Sequence, residues 1–180
     1  YVLAISIPFA LGLNNLIMLL NLPSYSEAYQ EATEVFYSAQ LAVQVVCLGI
    51  LTPIAEELVF RGLIFKRMRS LMKHSGRAIV FSGLLFGFYH GNMVQMIYAC
   101  LSGFLLAYLY EKYGSIKAPI LAHICMNLVA LILTEAEIFT WMFKSIWRVG
   151  PVTAACAAIA SMTFLFIQKI GEKPLKIDEN

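Results

Sequence analysis

Apolar residues run through this chain in stretches of helix length, parted by short polar connectors. The runs are Tyr1–Leu22, Val35–Phe65, Ala78–Gly91, Met93–Tyr110, Ile116–Thr134 and Pro151–Gln168. About 20 apolar residues at ~1.5 Å rise each cross the hydrocarbon core of a bilayer. The pattern therefore predicts an all-α polytopic membrane bundle with about six transmembrane helices, in a single domain over 1–180. The third run is short, and only the Gly91-Asn92 corner joins it to the fourth. The connectors are Pro23–Glu34, Lys66–Arg77, Glu111–Lys117 and Glu135–Gly150, followed by a tail over 169–180. Tyr1–Leu22 has no basic leader and no small-residue cleavage site, so it reads as a span rather than a signal peptide.

Composition agrees with this reading. The chain is 60% hydrophobic and 13% charged, half the charge of a typical soluble domain at about 25%. Too little polar surface remains to face water on all sides, so the expected partner is the lipid bilayer. Charge then orients the spans. Lys66, Arg67, Arg69, Lys73 and Arg77 share one connector, Lys112 and Lys117 another, and Lys169, Lys173 and Lys176 the tail. Six alternating spans put all three groups on one side, which the positive-inside rule makes cytoplasmic. Glu27, Glu31 and Glu34 fall on the other side with Lys144 and Arg148. Trp141 and Trp147 are expected there as interfacial anchors. Cys47, Cys100, Cys125 and Cys156 lie in separate apolar runs without a CxxC pair, and read as small buried apolar residues.

The chemistry stands out against this background. Glu56, Glu57 and Arg61 sit in the run Ile50–Phe65. An ionisable side chain in hydrocarbon is costly unless it has a partner or a task. Glu57 and Arg61 are spaced i, i+4 with the acid N-terminal, the favourable helical ion-pair order, so they are expected to brace the helix. Glu56 points about 100° away and has no cation in its own segment, which suits a general base. Thr52-Pro53 just ahead of it is expected to start or kink a helix. His90 closes one apolar run, and His123 and Asn127 share one face of another. Gly83, Gly87 and Gly91 repeat every four residues, a spacing that lets a neighbouring helix approach closely.

Several classes are excluded. No His-Glu-x-x-His places zinc ligands on one helix. No Gly-x-Ser-x-Gly supplies a serine nucleophile. Asp178, in the tail, is the chain's one aspartate, so a paired-aspartate membrane protease is ruled out. Nothing suggests nucleic-acid binding. Two histidines and a glutamate could ligate zinc, or could form a transporter's proton relay, though the chain halves show no internal repeat.

The order Glu56-Glu57-x-x-x-Arg61, Phe86-x-x-x-His90, His123-x-x-x-Asn127 resembles the CPBP family of CAAX prenyl proteases and bacteriocin-processing Abi proteins. The likeness covers roughly residues 45–135. It implies an intramembrane endopeptidase acting on membrane-associated, leader-type or prenylated peptides, in a prokaryotic membrane, with the cavity opening toward the cytoplasmic side. Glu56 would activate water with help from His90. His123 and Asn127 would stabilise the oxyanion, and Glu57 and Arg61 would support the site. A metal-free reaction is favoured because Asn127 is a poor zinc ligand; a zinc ion, if used, would take Glu56, His90 and His123. The alternative is a non-proteolytic scaffold or self-immunity protein of the same fold. One estimate stands against the grouping: helical rise from the basic connectors puts Glu56 at ~15 Å, His90 at ~20 Å and His123 at ~9 Å depth.

Overall fold

Backbone amides that face lipid find no water, so an apolar chain must close its hydrogen bonds within helices. The computed structural model describes residues 1–72 and 74–171. Among these, five helices are long and apolar enough to cross a membrane. They are α1 (Val2–Leu19), α3 (Leu41–Leu71), α5 (Met93–Tyr113), α6 (Lys117–Glu135) and α8 (Ile146–Lys169). The third expected span is α4, Ser75–Phe88, apolar but shorter. Two short helices, α2 (Glu27–Tyr37) and α7 (Ile138–Phe143), occupy connectors. The all-α bundle of five to six membrane helices is thus as expected. Lys73 and the tail residues Lys173, Lys176 and Asp178 lie outside the described residues.

Some boundaries move. The second run, expected over Val35–Phe65, divides: residues 35–37 finish α2, and the long helix runs from Leu41 to Leu71. Ser26 caps α2 by accepting the Tyr29 amide. The helix lies half-exposed, with no fully buried residue. The α6–α8 connector likewise holds α7 before Ser145 caps α8. Thr52-Pro53 starts the α-helical segment Thr52–Glu57, as expected, but within the longer helix α3 rather than at its end. Pro53 is buried inside α3, directly after a π-helical stretch, Val45–Leu51; a second runs over Leu58–Phe65. Wider turns shift the hydrogen-bond register around the proline and leave the helix continuous.

Glycine sets the closest helix crossing. A Cβ on Gly103 would stand 2.9 Å from Gly83 Cα, and one on Gly87 would stand 2.8 Å from the Met96 carbonyl. So α4 and α5 touch backbone to backbone at Gly83 and Gly87, as small-residue spacing allows. Gly91 belongs to the turn instead, with φ +75°, a left-handed conformation that glycine takes at little cost. The central core packs Ile5 and Ala10 of α1, Phe60 of α3, Phe86 of α4, Leu106 and Leu109 of α5, and Met126 of α6. Cys156 is buried as expected, but Cys47 faces outward and Cys100 and Cys125 are half-buried. Trp141 and Trp147 are exposed beside the α7–α8 turn, where Arg148 stacks 4.6 Å over the Trp141 ring.

Candidate active site

The six expected site residues converge on the middle of the bundle. Arg61 lies one helical turn below Glu57, and its Nη1 donates to Glu57 Oε1 at 2.7 Å. Both side chains are fully buried. Arg61 Nη2 donates to the Gly103 carbonyl at 2.9 Å, and its guanidinium lies 4.6 Å from the centre of the Phe86 ring. The glycine crossing of α4 and α5 thus places a backbone acceptor where the buried cation needs one. A buried charge is tolerated when it is paired and its donors are met. Arg61 Nε and Glu57 Oε2 are buried without a hydrogen-bond partner among the described residues.

Glu57 does more than was expected of it. Its Oε1 also accepts from His123 Nδ1 at 2.9 Å. A carboxylate only accepts, so Nδ1 carries the hydrogen and Nε2 faces away from Glu57. His123 Nε2 lies 3.7 Å from Glu56 Oε2. One imidazole therefore stands between the two neighbouring carboxylates. For Nε2 to donate to a substrate oxygen, the ring must carry both protons, flanked by Glu57 and Glu56. The unequal depths estimated from helical rise do not keep the groups apart.

His90 sits just past α4, and its Nδ1 donates to the Phe86 carbonyl at 2.8 Å. Its Nε2 is free to accept when the ring is neutral. The Phe86 ring meets His90 edge-on at 4.9 Å between centroids and His123 at 5.6 Å. Phe86 thus fixes the facing of both imidazoles and of Arg61. Sequence reasoning registered it only as a motif position. Its i, i+4 spacing from His90 was the available signal. Asn127 departs most from expectation: its Nδ2 donates to the Leu48 carbonyl at 2.9 Å.

Glu56, His90, His123 and Asn127 all line one cavity of about 300 Å³, with Phe86 and Ser102 in its wall. Tyr29 and Thr33, expected in a polar connector, and Phe36, expected in a span, line it from α2, together with Asn14 and Gln95. Burial raises the Tyr29 hydroxyl above the usual phenol range, so it faces the cavity neutral. α2 follows α1 in the connector that alternating spans place opposite the basic ones, so this wall of the cavity belongs to the expected non-cytoplasmic side. Among the described residues, no three His, Cys, Asp or Glu side chains form a metal-holding group. Glu56 and His123 are close, but the set with His90 is not assembled for coordination, so no step through zinc is derived.

Comparison with known proteins agrees with the motifs. A family model described as Type II CAAX prenyl endopeptidase Rce1-like matches residues 38–129. That span holds all six site residues and the whole of α3, α4 and α5. A Bacillus subtilis (strain 168) protein named "Putative membrane peptidase YdiL" is 29% identical over 108 residues. The match covers 60% of this chain and 43% of that protein, so the chain spans less than half of that relative's length. No solved structure matches.

Proposed function

We propose, on the premise that this chain belongs to the Rce1-like family of type II CAAX prenyl endopeptidases, that it hydrolyses peptide bonds inside the membrane by a glutamate-activated water. The observation that carries the reading is that Glu56 and His123 line one cavity, with buried Glu57 bonded to His123 behind them. Peptide hydrolysis needs a base for the attacking water and a donor for the developing oxyanion and leaving amine. Glu56 takes the water proton and passes it to the leaving amine as the C–N bond breaks. His123, oriented through Nδ1 by Glu57, presents Nε2 to the reacting carbonyl. His90, oriented through Nδ1 by the Phe86 carbonyl, presents Nε2 to the same water. Arg61 holds Glu57 in place. The substrates are membrane-associated peptides of leader or prenylated type, entering past α2. By the charge distribution, that entrance is non-cytoplasmic.

The test is cleavage of a mixed pool of leader-type and prenylated peptides by the purified chain in liposomes. Wild type and Glu56→Gln are compared, each with and without a chelator. Cleavage lost in Glu56→Gln and untouched by chelator is the expected result. Loss to chelator as well would move Glu56, His90 and His123 to a zinc site. Cleavage that survives Glu56→Gln would reject the base assignment, and no cleavage by wild type would favour the scaffold or immunity alternative.

A further inference from the structure

The Leu48 carbonyl carries the inference. In the π-helical stretch Val45–Leu51 the bonds run from each amide to the carbonyl five residues back, ending with the Thr52 amide on the Cys47 carbonyl. The next amide in that register would belong to residue 53 and would meet Leu48. Residue 53 is proline and has no N–H. A carbonyl left bare within a membrane helix must find a donor on a neighbouring helix. Asn127 Nδ2 fills that position at 2.9 Å. The approach is close because residue 49 is glycine: a Cβ there would stand 2.5 Å from Leu128 Cδ2, on the residue after Asn127.

We propose that Asn127 is a positioning residue, whose amide replaces the N–H missing at Pro53 and so sets where Glu56 stands relative to His123. The inference rests on the peptidase reading for its catalytic consequence but not for its structural one. Two bonds one helical turn apart on α6, His123 to Glu57 and Asn127 to Leu48, fasten α6 to α3 on either side of Glu56. Without the second, the π-helical turn ahead of Glu56 can slip toward ordinary α register and rotate the carboxylate away from His123. On this account the Asn127 amide acts through the helix and does not need to touch the substrate.

The test is a four-member cycle in the full chain: wild type, Asn127→Leu, Pro53→Ala and the double variant. Leucine keeps the shape of asparagine without the donor, and alanine restores an N–H at position 53. Amide hydrogen exchange is read over residues 45–57, and kcat and KM are read on whichever pool peptide wild type cleaves. Asn127→Leu is expected to speed exchange there on the order of three- to tenfold, as loss of one hydrogen bond allows. It should lower kcat far more than it changes KM. Adding Pro53→Ala should return exchange to near the Pro53→Ala level and recover most of the lost kcat. Equal kcat losses in both backgrounds, with exchange unmoved, would overturn the proposal and put the amide on the oxyanion. If Pro53→Ala does not fold, unchanged exchange in Asn127→Leu alone overturns it. Failure of the peptidase reading shows separately, as cleavage surviving Glu56→Gln, and leaves the exchange result standing.

Discussion

A single carboxylate oxygen, Glu57 Oε1, receives both Arg61 and His123. Removing its charge leaves Arg61 buried without a counter-ion, and breaking such a pair costs about 3–5 kcal/mol. Glu57→Gln should therefore lower the unfolding midpoint in detergent and lower kcat together, whereas Glu56→Gln should lower kcat with little change in the midpoint. Equal midpoints for the two variants would show that Glu57 is not the structural partner. Arg61→Lys keeps the charge but loses the planar fork that reaches both Glu57 and the Gly103 carbonyl, so an intermediate loss of stability is expected. The sequence showed the Glu57–Arg61 pair because i, i+4 spacing is local. It hid the Glu57–His123 bond, since no spacing rule joins residues 66 apart, and it hid the tautomers that follow from it. Asn127 was picked out, but its Leu48 partner depends on a register change no local pattern displays.

At the scale of elements, the α4–α5 contact rests on backbone closeness at Gly83 and Gly103. A leucine at Gly83 would meet the Phe104 ring and the α5 backbone, and overpacking of this kind costs about 1–3 kcal/mol. Gly83→Leu should lower the thermal midpoint and also activity, because Gly103 carries the carbonyl that Arg61 binds. A variant with full activity would show that the crossing does not position the site. The helices themselves were legible, because a bilayer enforces long apolar runs. The ends were not. Residues 35–37 are as apolar as a span yet finish α2, whose Tyr29, Thr33 and Phe36 turn toward the cavity. Pro53 was legible as a helix start, but not the π-helical stretch before it that keeps α3 continuous.

At the scale of the whole molecule, alternating spans predict that the basic connectors and the α2 wall of the cavity fall on opposite sides of the membrane. Cysteine substitutions at Ser24, beside α2, and at Gly76, in the first turn of α4, should label from opposite faces with an impermeant thiol reagent in a background lacking the native cysteines. Ser24 should label from the outside. Labelling of both from one face would overturn the helix-by-helix alternation of spans and the side assigned to the cavity. The buried charges also bear on how the protein is made. A lone carboxylate or guanidinium entering the bilayer costs a few to more than ten kcal/mol by different measures. Glu57 and Arg61 sit one turn apart on the same helix, so they neutralise each other before any partner arrives. The apolar part of α3 ahead of Lys66 can thus enter the bilayer with Glu56 as its one charge not paired within the helix. Gly103 and His123 then need only dock onto a pair that α3 can form alone, so the spacing of two residues lightens the charge cost of insertion.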